Sequence, residues 1–197
     1  MRHGVKISAM SSPDAQNAKK LLRAQLSSAR QTLVRDASAP IGLERHLLQL
    51  VKHLGAKTVA AYLPFGTEPN IGQFIIGAAG HSLALIMPVA NPDGSLAWVR
   101  YTGQSAAGIF GFEEPVGPGV TLHEADLILI PASAVDHQGN RLGKGKGFYD
   151  IALSDPAVVA PVAAVVYDSE VLDAIPTEEH DQPVAFVVTP ERLIEIG

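Results

Sequence analysis

The run "DLILIPASAVD", which starts at Asp126, is apolar at one position after another and lacks the alternation of a half-exposed strand. A segment this short and this apolar is predicted to be a strand covered on both faces, and parallel sheets are where such strands occur. "KTVAAYLPF", "SLALIMPVA", "PVAAVVYD" and "VAFVVT" read as further strands, and stretches of helical spacing lie among them. Over 13–35, Leu21, Leu22, Leu26, Ala29 and Leu33 recur near that spacing behind Ser12 or Asp14 as a cap, which leaves Lys19 and Arg23, four apart, on one exposed face. A second amphipathic helix is expected over 41–54, closed by Gly55. "PNIGQFIIGAAG" is predicted to be a short helix and "FYDIALS" the start of another. Strands alternating with helices imply an α/β fold: a single domain with a largely parallel central sheet and helices on both faces. The 197 residues accommodate one such domain, expected over 17–197 behind a flexible N-terminal extension over 1–16.

"NPDG" is a turn signal, and "SLAWVRY" beyond it is expected to pair as a hairpin partner. The middle segment, "TGQSAAGIFGFEEPVGPGVTLHEA", is rich in glycine and proline and reads as a long ordered loop, a length that loops reach chiefly when they carry function.

Composition narrows the partners. Hydrophobic residues make up 47% and charged residues 18%, the balance of a globular chain rather than a disordered one. The net charge of -5 argues against nucleic acid and acidic membrane surfaces, so any basic cluster is a local device. The absence of cysteine excludes disulfides, thiolate metal sites and a cysteine nucleophile, and fits a reducing compartment. No stretch reaches the roughly 18 apolar residues of a membrane span, and the first residues hold no apolar core of signal-peptide length. A cytoplasmic monomer acting on small molecules is the expectation.

Against this acidic background "NRLGKGKGFYD", residues 140–150, stands out. Gly143, Gly145 and Gly147 alternate with Lys144 and Lys146, so the backbone can turn through positive φ and aim successive amide hydrogens at one anion. A helix starting near Gly147 adds its dipole, and Asp150, one turn in, offers an oxygen to a hard cation held between phosphates. Ligands of open α/β sheets collect at the carboxyl ends of strands, and this loop follows "DLILIPA" by a few residues. It is neither a Walker A loop, since Gly145 rather than Ser or Thr follows Lys144, nor the dinucleotide fingerprint. By composition alone, a solvated glycine-lysine linker accounts for it equally well.

The whole phrase "PASAVDHQGNRLGKGKGFYD" is more specific: it closely resembles the signature of the 5-formyltetrahydrofolate cyclo-ligase family. The resemblance extends to "AKKLLR", "YLPFGTEPNI", "WVRY", "GFEEP" and "IPTEEHDQPVAFVVTPER", in order and with similar spacing from about Asn17 to Arg192. It departs from the family pattern at Lys144, Ile151 and Ala185. The resemblance implies an enzyme that uses ATP and Mg2+ to close 5-formyltetrahydrofolate to 5,10-methenyltetrahydrofolate through a phosphorylated formyl oxygen. It implies that Lys19, Arg23, Arg141, Leu142, Gly143, Lys144, Gly145, Lys146, Gly147 and Tyr149 surround ATP, with Arg141, Lys146 and Tyr149 acting in catalysis. Tyr62, Glu68, Trp98 and Tyr149 are the implied folate contacts, with Phe65 a further candidate for packing on the ring system, and Asp150 and Asp181 the implied metal ligands. His137 and His180 are left out as ligands. A noncatalytic folate- or nucleotide-binding paralogue is the competing reading, since a fold alone does not fix function.

Overall fold

The computed structural model describes residues 12–36, 42–109, 111–178 and 181–197. Its helices are α1 (Ser12–Asp36), α2 (Leu43–Leu54), α3 (Gly72–Gly77) and α4 (Phe148–Leu153). Its strands are β1 (Thr58–Ala60), β2 (Ala84–Ala90), β3 (Leu96–Arg100), β4 (Gln104–Ala107), β5 (Glu113–Val116), β6 (Gly119–Val120), β7 (Leu127–Pro131), β8 (Ala134–Asp136), β9 (Arg141–Leu142), β10 (Val162–Val165), β11 (Val171–Leu172), β12 (Phe186–Val188) and β13 (Leu193–Glu195). Residues 1–11 of the expected extension, the expected start of the second helix at Ile41, and His180 lie outside the described residues.

The main sheet has eight strands in the order β13-β12-β10-β7-β1-β2-β3-β6. Its five central strands run parallel, and the outer strands β13, β3 and β6 are antiparallel to their neighbours. "DLILIPA" supplies β7, central in the sheet, with Leu127 to Ile130 almost wholly buried. Strand periodicity divides the core in two. Val59, Leu85, Met87, Leu127, Leu129 and Val165 face Leu43, Leu47 and Leu50 of α2 and Phe74 of α3. The residues between them, Ala60, Ile86, Ile128, Ile130, Ala164 and Val187, face the other way, where Ala152 and Leu153 of α4 pack. The α/β single domain with a mostly parallel sheet between helices is thus present, and "SLAWVRY" pairs with β2 behind the "NPDG" turn as expected.

Two expectations are corrected. The segment between β3 and β7 is not a long loop: β4 and β5 form a ribbon of their own, β6 joins the main sheet, and a 3-10 turn over Leu122–Glu124 precedes β7. All of β4 and both ends of β5 are exposed, so the ribbon needs no apolar alternation. Nor do Lys19 and Arg23 sit on a solvated face of α1. The covered seam of that helix runs through Ala15, Lys19, Leu22, Leu26, Arg30 and Leu33, at an average step of one helical turn, whereas Leu21 is 60% exposed.

Cations can occupy this seam because each meets a partner. Lys19 pairs with Glu178 and Asp181, at 2.9 and 2.6 Å. The Arg30 guanidinium grips both oxygens of Glu170, donates to the Ala132 carbonyl at 2.8 Å, and lies 5.5 Å from the centre of the Tyr167 ring. Leu22 and Leu26 pack on Ala134, Leu142 and Ile175 of the small sheet β11-β8-β9 and its flank. These contacts hold α1 against the carboxyl ends of β7 and β10.

Candidate active site

A cleft of about 290 Å3 opens at the carboxyl edge of the main sheet. Its floor holds Pro88 and Ala90 of β2, Leu96 of β3 and Pro131 of β7. One wall is the loop after β1, with Tyr62, Phe65 and Glu68. The facing wall is the glycine loop from Gly143 to Gly147, with Lys19 and Arg23 of α1 behind it and Asp181 beside them.

The glycine loop is aimed by a hairpin. Buried Asp136 ends β8, and its carboxylate accepts hydrogen bonds from the Gln138, Asn140 and Ile175 amides and the Asn140 side chain. Four donors on one carboxylate fix the turn, so β9 returns beside β8 and delivers Arg141 into the cleft. Arg141 is only 5% exposed; its Nη2 donates to Asp150 Oδ1 at 2.5 Å, while its buried Nε–H has no hydrogen-bond partner among the described residues. An unanswered donor on a buried cation is costly, and a ligand oxygen would answer it. Past Arg141 the chain takes positive φ at Gly145 and Gly147 but not at Gly143, so two of the three expected glycines use that freedom. Arg23 braces the turn: its Nε donates to the Gly143 carbonyl at 2.7 Å, and a Cβ on Gly145 would stand 3.4 Å from its guanidinium carbon. Helix α4, capped by Gly147, is only six residues long, so its dipole adds little.

On the opposite wall, Glu68 accepts the Phe65 amide on one oxygen and Lys144 on the other, the latter at 2.6 Å. Phe65 leans on Phe112 across the mouth, ring centres 5.0 Å apart, and Lys144 Nζ lies 5.5 Å from the centre of the Phe65 ring. Tyr62 donates its hydroxyl to the Pro69 carbonyl. Burial first and the Glu68 charge second push the Tyr62 and Tyr149 phenols well above the ordinary 10.0, so both keep their protons even in alkaline solution.

Fourteen of the residues singled out in the sequence meet in this cleft: Lys19, Arg23, Tyr62, Phe65, Glu68, Arg141, Gly143, Lys144, Gly145, Lys146, Gly147, Tyr149, Asp150 and Asp181. Leu142 and Trp98 do not line it. Leu142 is fully buried under α1, and Trp98 packs with Ile86, Leu122 and Ile128 in the core. Phe112 and Glu114 line the cleft without having been singled out. Glu114 is nearly buried and accepts the Ala90 amide at 3.1 Å; it stands in the quoted "GFEEP", but nothing in the sequence showed that this segment folds back over β2. No group of three or more histidine or acidic side chains close enough to hold a metal ion occurs among the described residues. No helix among them is long and apolar enough to cross a membrane.

Known proteins resemble this chain in sequence and fold. The 5-formyltetrahydrofolate cyclo-ligase of Mycolicibacterium smegmatis is 42% identical over 148 residues, which cover 71% of this chain and 76% of that protein. The 5-formyltetrahydrofolate cyclo-ligase of Haemophilus influenzae is 30% identical over 165 residues, covering 79% and 88%. The NMR structure of Aquifex aeolicus 5,10-methenyltetrahydrofolate synthetase superposes with a TM-score of 0.74 at 26% identity, covering 90% of this chain and 92% of that one. The model of the 5-formyltetrahydrofolate cyclo-ligase family matches residues 15–190, from the charged seam of α1 through the glycine loop to the end of β12, and the chain belongs to that family.

Proposed function

We propose that this protein couples ATP cleavage to the cyclisation of 5-formyltetrahydrofolate into 5,10-methenyltetrahydrofolate. The observation that carries the reading is the two-sided cleft: cations and glycine amides on one wall, a carboxylate and a neutral phenol on the other. A formamide oxygen is a poor leaving group, and ATP supplies the phosphoryl group that lets it depart as phosphate.

The protein's part is positioning and charge stabilisation. Arg141, with its unanswered Nε–H, and Lys146 would stabilise charge on the transferring oxygens, while the Gly143 to Gly147 backbone and Arg23 fix the donors in place. Lys19 would lend its charge from behind, already shared with two carboxylates. Glu68 would accept the paired N–H donors of the pterin edge. Tyr149, kept neutral, would donate its O–H between the two substrates. A nucleophile on the protein is unnecessary, consistent with a chain lacking cysteine.

Mg2+ at such sites is held by one or two carboxylates together with phosphates rather than by an all-protein cage. Asp150 fits that role: Arg141 takes one of its oxygens, and the other has no protein donor among the described residues. Asp181 is already committed to Lys19 and the Glu178 amide, which makes it a supporting residue before a ligand.

The test uses purified protein, 5-formyltetrahydrofolate, ATP and a divalent cation, followed by the absorbance of the methenyl product. Product is expected only when nucleotide and cation are both present. Product without nucleotide, or none with both, overturns the reading.

A further inference from the structure

The contact between Lys144 and Glu68 joins the two halves of the cleft. One partner stands in the glycine loop and the other in the loop after β1, and each belongs to the wall assigned to a different substrate. The pair is unequal. The Glu68 side chain is 8% exposed and that of Lys144 50%, so the carboxylate depends on this cation far more than the cation depends on it. The second protein donor to Glu68, the Phe65 amide, is fixed backbone, whereas Lys144 is a flexible side chain flanked by Gly143 and Gly145.

We propose that Lys144 is a positioning residue that acts through Glu68 and makes the binding of the two substrates mutually reinforcing. The inference rests on the reading above, in which polyphosphate binds at the glycine loop and the pterin edge at Glu68. In the free protein Lys144 answers the buried carboxylate. A polyphosphate at the glycine loop draws the lysine away, because several negative oxygens outcompete one carboxylate for a mobile cation. Glu68 is then short of a donor in a nearly buried position, and the paired N–H groups of a pterin supply what it lost. In the reverse order, a pterin on Glu68 releases Lys144 toward the phosphates. Linkage makes the two effects equal in size. Phe65 and Phe112 respond to the same event, since the ammonium lies over the first ring and the second leans on it.

Calorimetry with 5-formyltetrahydrofolate and a nonhydrolysable ATP analogue, each alone and each in the presence of the other, tests this. In the parent, either ligand is expected to tighten the other about fivefold, the low end of measured couplings, because Lys144 is half exposed. In Lys144→Met the coupling falls to about onefold, and the folate binds more tightly without nucleotide than it does in the parent. Lys144→Arg restores coupling. Glu68→Gln weakens folate binding but tightens the nucleotide, because it frees the lysine; a purely structural loss would weaken both. Independent binding of the two ligands in the parent overturns the coupling while leaving the proposed function standing, as does full coupling in Lys144→Met. A parent that binds neither ligand overturns both.

Discussion

At Gly145 the backbone has φ of 92°, and a Cβ there would just touch the Arg23 guanidinium, leaving no room for the branches of a larger side chain. Gly145→Val is therefore expected to be strained by about 1–3 kcal/mol and to push Arg23 off the Gly143 carbonyl, abolishing nucleotide binding in a chain that still folds by circular dichroism. Lys146→Ala and Asp150→Asn are expected to lower turnover through different causes. Loss of the lysine removes stabilisation of the transferring charge, on the order of a hundredfold in kcat, and excess Mg2+ does not restore it. Asp150→Asn raises the Mg2+ concentration needed and is partly rescued by excess metal. Steady-state rates across a Mg2+ titration separate the two, and parent-like rates in all three variants would return the loop to a solvated linker. The sequence disclosed the glycine loop and its carboxylate because their chemistry is local. It could not disclose that Lys144 reaches Glu68, since 76 positions separate them along the chain.

The elements show a similar division. Strands β1, β2, β7, β10 and β12 were legible because burial on both faces demands unbroken apolar runs. Helix α1 was legible as a helix but misread in its facing. Leucines at helical spacing normally mark the core side, yet here Leu21 is exposed and Lys19 and Arg30 are covered, because acidic partners wait at positions far along the chain. Spacing held a clue: Lys19, Arg23 and Arg30, at intervals of four and seven, share one stripe with Leu22 and Leu26. The β4–β5 ribbon was missed because an exposed two-stranded ribbon carries no hydrophobic alternation. The buried pair of Arg30 and Glu170 makes an element-scale test. Arg30→Met leaves the Glu170 carboxylate buried with, among the described residues, only the Tyr167 amide as donor, and is expected to cost about 3–5 kcal/mol in urea unfolding. The double variant Arg30→Met with Glu170→Gln is expected to recover part of that loss, since neither charge then remains unpaired. A single variant with unchanged stability would show that the pair does not anchor the helix.

Over the whole molecule, three tyrosines share one direction of titration. Tyr62, Tyr149 and Tyr167 all have phenols raised above 10.0, burial being the largest cause in each. The sign follows from linkage: a raised folded value means that the folded state holds its protons longer than the unfolded chain. This stability is fully present below about pH 10 and is lost as pH rises toward the folded values. Thermal unfolding between pH 8 and pH 11 is expected to show the melting temperature falling above pH 10, and less steeply in Tyr62→Phe, which removes one titrating group. A flat profile across that range would refute the burial of these hydroxyls. The mixed seam of α1 has a consequence of another kind. This helix is roughly 37 Å long and is attached by a narrow line of leucines and a few ion pairs, whereas α2 presents a broad apolar face to the sheet. Such an element is expected to detach as a unit at less free energy than global unfolding requires, and its amides to exchange with solvent sooner than those of the central strands. A polyanion held jointly by Arg23, Lys19 and the glycine loop would close that opening, and occupancy of the cleft becomes readable as slowed hydrogen exchange along the helix, well beyond the residues that touch it.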